Sequence, residues 1–536
     1  MKKTVKKLAA VGLTLTSVVG LVACNKNNAG GDGDNKQNAN VTKPTKINIM
    51  VDGTVVTEDN GGNEFEAYLE GLLENYGDAG KIDLVFTRPP HSSYYDSVAN
   101  AFNGTNKPDV VILSSDYYAL YSNQDMLWDM TDAWNNSVTK NSGRLISAAD
   151  KILKGLMVQG ADGKDHMYGF SPFRGNGCCT YIKKTWIEKA GKKVEDVQGK
   201  TMSFNEYYDL LKAMKSSTES AYVISGPGFI SKEAPYTNYL PEFYQKANFT
   251  FYKDASGKYV DGFSQKEMKD ALQRIQTAVK DGIIDKATLD NDTAAARNKF
   301  YSTDPKSESG VFTYWAGTWA ENLRTNLETK GMSGELVAIN PISELGTYVE
   351  RLAPAWCITK EATNPEGIFK YFIDTMLDGG DIQIAWQYGA KGTHWDTKAE
   401  TVTLKDDKEG KNTKTYTEGT FHFLPSPEKP NTLMKKNHID PPLALATFGD
   451  KKDPGAAALS ETATKNAEFF NTCCETAIPL PMTDVLGENS GDIDTARREV
   501  ITKVALGEWS VDEGMKYYTD TVGSSVEKVI KSLNEL

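Results

Sequence analysis

The sequence predicts an α/β protein with mixed parallel sheets and a helical C-terminal part. Strand-like and helix-like stretches alternate from Lys46 to Leu113, the order that builds a parallel sheet with helical crossovers. That alternation is interrupted near Phe173 and then restarts. From Asp494 to Leu536 the chain is mostly helical, with breaks expected at Gly507 and Gly514.

The N-terminus reads as a targeting segment. Lys2, Lys3, Lys6 and Lys7 precede Leu8 to Val22, an uncharged apolar run of about fifteen residues, short for a membrane span and suited to a signal-peptide core. Its end, Leu21-Val22-Ala23-Cys24, resembles the lipobox of bacterial lipoproteins. That resemblance implies a signal peptide over 1–23 and acylation of Cys24, which becomes the first residue of the mature chain. The plainer alternative is an ordinary secretory signal with an incidental cysteine. Residues 24–45 are rich in Asn, Gly, Asp and Lys with almost nothing to bury, so they read as a flexible linker behind a lipid anchor.

The folded body begins at Lys46. Residues 46–51 alternate polar and apolar and predict a strand. Phe65, Tyr68, Leu69, Leu72 and Leu73 have helical spacing over 64–76. Strands follow at 82–86 and 108–113, with a helix at 94–102 between them. Helical stretches fill the chain to Gln159, and 163–173 reads as a turn, a short strand and an extended proline-bearing segment. A strand is expected at 178–182 and a helix at 186–190. Ser203 with Glu206 three residues on forms a capping-box pattern for a helix over 204–214. A strongly amphipathic helix spans 264–281. Strands are expected at 310–315, 335–340 and 351–359, and helices at 320–330 and 365–378.

Composition narrows the function. Hydrophobic content is 39% and charged content 25%, and no second long apolar run follows the first. The net charge is −12; the first 23 residues carry four lysines and no acid, so without them it is −16. Such an acidic chain does not suit nucleic acid, which needs concentrated Lys and Arg. Beyond Cys24 there are five cysteines, Cys178, Cys179, Cys357, Cys473 and Cys474, an odd number that leaves at least one thiol unpaired within the chain. They read best as buried small hydrophobes. The five histidines are scattered and suggest no metal centre, and no cofactor is expected.

Several passages resemble the extracellular solute-binding proteins of bacterial ABC importers, in the carbohydrate-binding branch and its large Gram-positive lipoprotein members. They are Lys107-Pro-Asp-Val-Val-Ile-Leu-Ser-Ser-Asp116 with Trp128-Asp-Met-Thr-Asp132, and Asp162-Gly-Lys164 with Tyr168-Gly-Phe-Ser-Pro172. Further along come 179–191, Trp386-Gln-Tyr-Gly-Ala-Lys-Gly-Thr-His-Trp395 and 504–512. Trp395 stands where those proteins carry tyrosine, and the paired cysteines are not part of their pattern. The resemblance implies a two-lobed periplasmic-binding-protein-like clamp that closes on its ligand. It is laid out as 46–165 with 308–355 for the first lobe and 166–307 with 356–536 for the second. It further implies an oligosaccharide ligand, ABC permease subunits as membrane partners, attachment to the outer face of the membrane through the N-terminal lipid, and a monomer.

Sugar recognition needs flat aromatic platforms beside polar side chains. In an open parallel sheet the ligand lies beyond the carboxyl ends of the strands. On those grounds the candidate ligand residues are Asp116, Tyr117, Arg174, Trp315, Trp319, Trp356, His394 and Trp395, with Tyr236, Tyr239 and Tyr244 as weaker ones. Each has a structural alternative: helix cap for Asp116, ion pair for Arg174, core packing for Trp356, loop anchor for His394 and Trp395. Two other functions stay open at this level. A glycoside hydrolase would need two carboxylates across a sugar, which 72 acidic residues do not exclude. A peptide-binding importer component would keep the clamp and change the ligand.

Overall fold

The structure is a computed structural model. It describes residues 41–55, 61–159, 164–231, 237–404, 413–426, 430, 433–434, 438–478, 480–481 and 483–536. The 1–23 signal peptide, Cys24 and the linker up to residue 40 lie outside the described residues. Thr42–Leu536 form one unit whose main sheets are one of four strands and one of three, beside five two-stranded sheets among the described residues.

In the first lobe Lys46–Met50 is flanked by Asp83–Thr87 and Val110–Leu113, both parallel to it. Ile47 and Ile49 point inward and are buried, as their alternation requires. All four residues of Val110–Leu113 are buried, the mark of a strand covered on both faces. Helix Gly62–Glu74 covers the sheet through Phe65, Leu69 and Leu73. A fourth strand, Ala355–Ile358, joins antiparallel to Val110–Leu113, with Trp356 opposite Ile112.

The second lobe is built on Cys178–Lys183, which pairs antiparallel with Val311–Trp315 and Leu336–Ala338. Helices Phe204–Ser217, Lys266–Lys280, Asp484–Ala505 and Val511–Leu533 pack one core around it. The capping box forms: Ser203 accepts from the Glu206 N–H, and Glu206 accepts from Ser203. Gly507, at φ 76, ends the Asp484–Ala505 region. Gly514 breaks nothing. It lies inside Val511–Leu533, where an added Cβ would come 2.8 Å from Val504 Cγ2, so it permits close packing of the last two helices.

The lobe boundaries need correction. Residues 308–355 do not complete the first lobe, because Val311–Trp315 and Leu336–Ala338 hydrogen-bond to Cys178–Lys183. Nor does everything from 356 onward join the second. Residues from Ala355 to Ala446 contribute to the first core, as do Met167 and Phe170. Local pattern identifies a strand but not its ladder partner, which long-range packing selects.

The chain crosses between lobes around 171–177, around 350–354, and again between Ala446 and Phe470. The first two crossings lie backbone against backbone. A Cβ on Gly175 would fall 1.5 Å from the Arg351 carbonyl oxygen, and one on Gly177 would fall 2.2 Å from that of Val349. Only glycine allows this approach. Arg174 and Glu350 tie the crossings together: Nε donates to Oε1 and Nη2 to Oε2, each at 2.7 Å. Strand Tyr348–Glu350 pairs on with Cys474–Thr476. All five described cysteines are free thiols. Burial pushes the Cys179 thiol up to about 12. Among the described residues no helix is long and apolar enough to cross a membrane.

Candidate functional site

Strand direction defines the cleft. The three parallel strands of the first lobe end at Met50, Thr87 and Leu113. Ala355, opposite Leu113, begins its antiparallel strand at that same end and follows a crossing. In the second lobe Trp315 ends its strand opposite Cys178, which also follows a crossing. Both sheets therefore turn toward the crossings the strand ends that lead into Asp52, His91, Tyr117, Trp315 and Trp319.

On the first lobe, burial works to raise the Asp52 carboxyl. Hydrogen bonds from Thr54 and the His91 ring outweigh it and hold the group below its usual range. Oδ1 accepts from Thr54 N–H at 2.8 Å, and Oδ2 is 2.6 Å from His91 Nδ1. Gly53 N–H donates to the Pro89 carbonyl at 2.8 Å, joining the first two loops. Tyr117 stacks on Tyr95, with ring centroids 3.7 Å apart and planes 2° from parallel. Asp116 lies in helix Ser115–Asn123, and its side chain lies outside the described residues.

The second lobe supplies an aromatic wall. Trp315 and Trp319 are half-buried. The Arg351 guanidinium, coming from a crossing, lies 4.6 Å from the Trp315 ring, while its Nε donates to the Gly175 carbonyl. Trp319 meets Tyr314 edge-on at 5.1 Å, and Tyr239 lies nearly parallel to Tyr314 at 6.3 Å. The Arg297 guanidinium sits 5.0 Å from the Trp319 ring and donates to Tyr314 Oη. Thr318 donates to Asp440 at 2.8 Å, linking this helix start to the loop that returns from the first lobe.

Four expected ligand residues are placed elsewhere. Arg174 is 6% exposed, and its guanidinium is engaged with Glu350 in the crossing; it also edges an inter-lobe hollow of about 660 Å³ beside Pro441–Phe448. Trp356 is 2% exposed and meets Phe372 and Trp386 edge-on, because its position in the strand turns it into the core. His394 is buried, and its Nδ1 accepts the Ala390 N–H at 3.0 Å. Trp395 is buried under Phe421 and donates from Nε1 to the Gly389 carbonyl, so this pair anchors its loop. Tyr244 is buried too, and Tyr236 lies outside the described residues. Arg297, Arg351, Tyr95 and Asp440 were not singled out from the sequence. Arg351 carries a signal, as the cation that opens the expected 351–359 strand; Arg297, on helix Thr293–Phe300, carries none.

No protein-family model matches the chain, and no curated protein matches it in sequence. Its fold is that of the extracellular solute-binding proteins. The N-glycan transport solute-binding protein of Streptococcus pneumoniae aligns over 92% of this chain and 99% of its own, at 15% identity and a TM-score of 0.58. The HMO-binding ABC-transporter-associated solute-binding protein of Bifidobacterium longum infantis aligns over 92% and 98%, at 13% identity and a TM-score of 0.57. The sugar-binding protein MalE of Xanthomonas citri aligns over 90% and 98%, at 14% identity and a TM-score of 0.57. The structure thus has the two-lobed periplasmic-binding-protein-like fold shared by these sugar-binding proteins.

Proposed function

We propose that this chain is the lipid-anchored substrate-binding component of a carbohydrate ABC importer, capturing an oligosaccharide outside the cell. The observation that carries this reading is the half-buried pair Trp315 and Trp319 at the end of the second sheet where Trp315 pairs with Cys178, just after a crossing. Aromatic faces take the apolar faces of sugar rings, and polar groups nearby take the hydroxyls. Thr318, Tyr117, Asp52 and Asp116 are the polar candidates. The crossings, glycine on backbone with a buried ion pair, act as the hinge about which the lobes close. The closed form is then presented to permease subunits, and ATP is hydrolysed by other subunits. Cys24 carries the acyl anchor, 24–45 forms the tether, and the body works as a monomer at the membrane's outer face. The test is to incubate the body with glycans and recover them. Intact recovery, with a ligand-induced fall in the radius of gyration by small-angle scattering, is expected; glycan cleavage at catalytic rates would replace the reading with a hydrolase.

A further inference from the structure

Arg297 is the starting point. Its guanidinium lies over two rings, 5.0 Å from Trp319 and 5.4 Å from Tyr314, and it donates to Tyr314 Oη. Among the described residues no carboxylate lies within ion-pair distance of it. Arg144 and Arg274 share this, but they donate instead to backbone carbonyls. Arg88, Arg174, Arg324, Arg497 and Arg498 all meet a carboxylate. The neighbouring phenols do not supply the missing charge either. Burial pushes Tyr301 up to about 12 and raises Tyr314, in both cases against the pull of Arg297, so both stay neutral near pH 7. Tyr301 Oη is shut off from solvent without a hydrogen-bond partner. The cluster therefore holds a cation, fixed by aromatic faces and uncompensated, beside the tryptophan that the proposed function assigns to sugar stacking.

A guanidinium packed against aromatic rings still has N–H groups that no ring takes up, and its planar fork can offer two of them to both oxygens of a carboxylate. A neutral sugar has no use for that arrangement beyond one or two hydroxyl contacts. We infer that Arg297, with Trp319 and Tyr314 holding it, is a subsite for a carboxylate on the ligand, so that the captured glycan is an acidic oligosaccharide with a uronate-type residue stacked at Trp319. This rests on the oligosaccharide reading and adds the charge of the ligand. The second guanidinium, Arg351 over Trp315, adds positive potential at the same sheet end.

The experiment is a calorimetric titration of the 46–536 body with three versions of one oligosaccharide scaffold: the uronate form, its methyl ester and the neutral parent sugar. The wild type is expected to bind the uronate at least tenfold tighter than the ester, with the preference shrinking as salt rises. Arg297→Gln is expected to remove that preference, so that uronate and ester bind alike; Arg297→Lys keeps the charge without the fork and should retain part of it. Thermal unfolding of each variant separates a role in packing from one in selectivity. Equal wild-type affinity for uronate and ester would overturn the inference and leave the oligosaccharide reading intact. An unchanged preference in a folded Arg297→Gln would overturn it too. If no scaffold of any charge bound, the oligosaccharide reading itself would fail.

Discussion

Replacing Glu350 by alanine tests the ion pair that ties the crossings together. Arg174 and Glu350 are 6% and 1% exposed and share two hydrogen bonds of 2.7 Å. Glu350→Ala strands the guanidinium in the crossing with only the Cys474 sulfur, 3.6 Å away, as a weak acceptor. Breaking a buried pair from one side typically costs about 3–5 kcal/mol, because the remaining charge stays desolvated. Scaled by the unfolding entropy of a body this size, that is a fall in Tm of roughly 3–5 °C. Removing both charges together, as in Arg174→Met with Glu350→Leu, eliminates the stranded charge and should return stability to within about 1 kcal/mol of wild type. Urea unfolding of the wild type, Arg174→Met, Glu350→Leu and the double variant closes the cycle, with a coupling of about 3 kcal/mol or more expected. If Glu350→Ala moved stability by less than about 1 kcal/mol, or the double variant were as unstable as the single ones, the pair would not brace the crossings as described.

Three further outcomes are expected. Trp356→Ala should cost about 3–5 kcal/mol of stability through the cavity it leaves in the first core, with glycan affinity of the folded fraction unchanged. Trp319→Ala should do the reverse, weakening glycan binding roughly ten- to hundredfold in calorimetry with little effect on unfolding. Burial raises the carboxyl of Glu242 to about 7, against the opposing hydrogen bond from Thr180 at 2.7 Å. A carboxyl raised in the folded state stays protonated there while the unfolded chain releases its proton. Stability should therefore fall as pH rises from about 4.5 to about 7, by up to about 3 kcal/mol. Glu242→Gln should flatten that slope in unfolding midpoints measured between pH 4.5 and 8.

Local signals carried most of the first lobe. Ile47 and Ile49 alternate because one strand face is buried, and Val110–Leu113 is uniformly apolar because both faces are. The Ser203–Glu206 capping box is likewise a short-range device that the sequence displays in full. What the sequence hid depends on partners distant along the chain. Val311–Trp315 reads as a strand, but nothing within it says that Cys178–Lys183 is its neighbour, so its lobe is not legible locally. Trp356 and Trp315 both lie in short apolar strands; one is turned into the core and the other ends its strand beside the crossings, a difference set by register and strand length. Gly514 read as a break because a glycine needed for helix contact looks, in sequence, like one needed for a turn. Arg174 looks like a ligand donor in sequence because its partner Glu350 lies 176 residues away. Arg297 was not singled out because an arginine on a short helix is unremarkable until the rings beneath it are known.

The measurement that bears most directly on the central claim is isothermal titration of the 46–536 body against a panel of oligosaccharides, with simple sugars and peptides as controls. Capture for import requires micromolar or tighter binding to one class of glycan, with one ligand per chain and the glycan recovered intact. Heat with peptides alone would keep the clamp and discard its sugar, and no binding across the glycan panel would contradict the role given to Trp315 and Trp319.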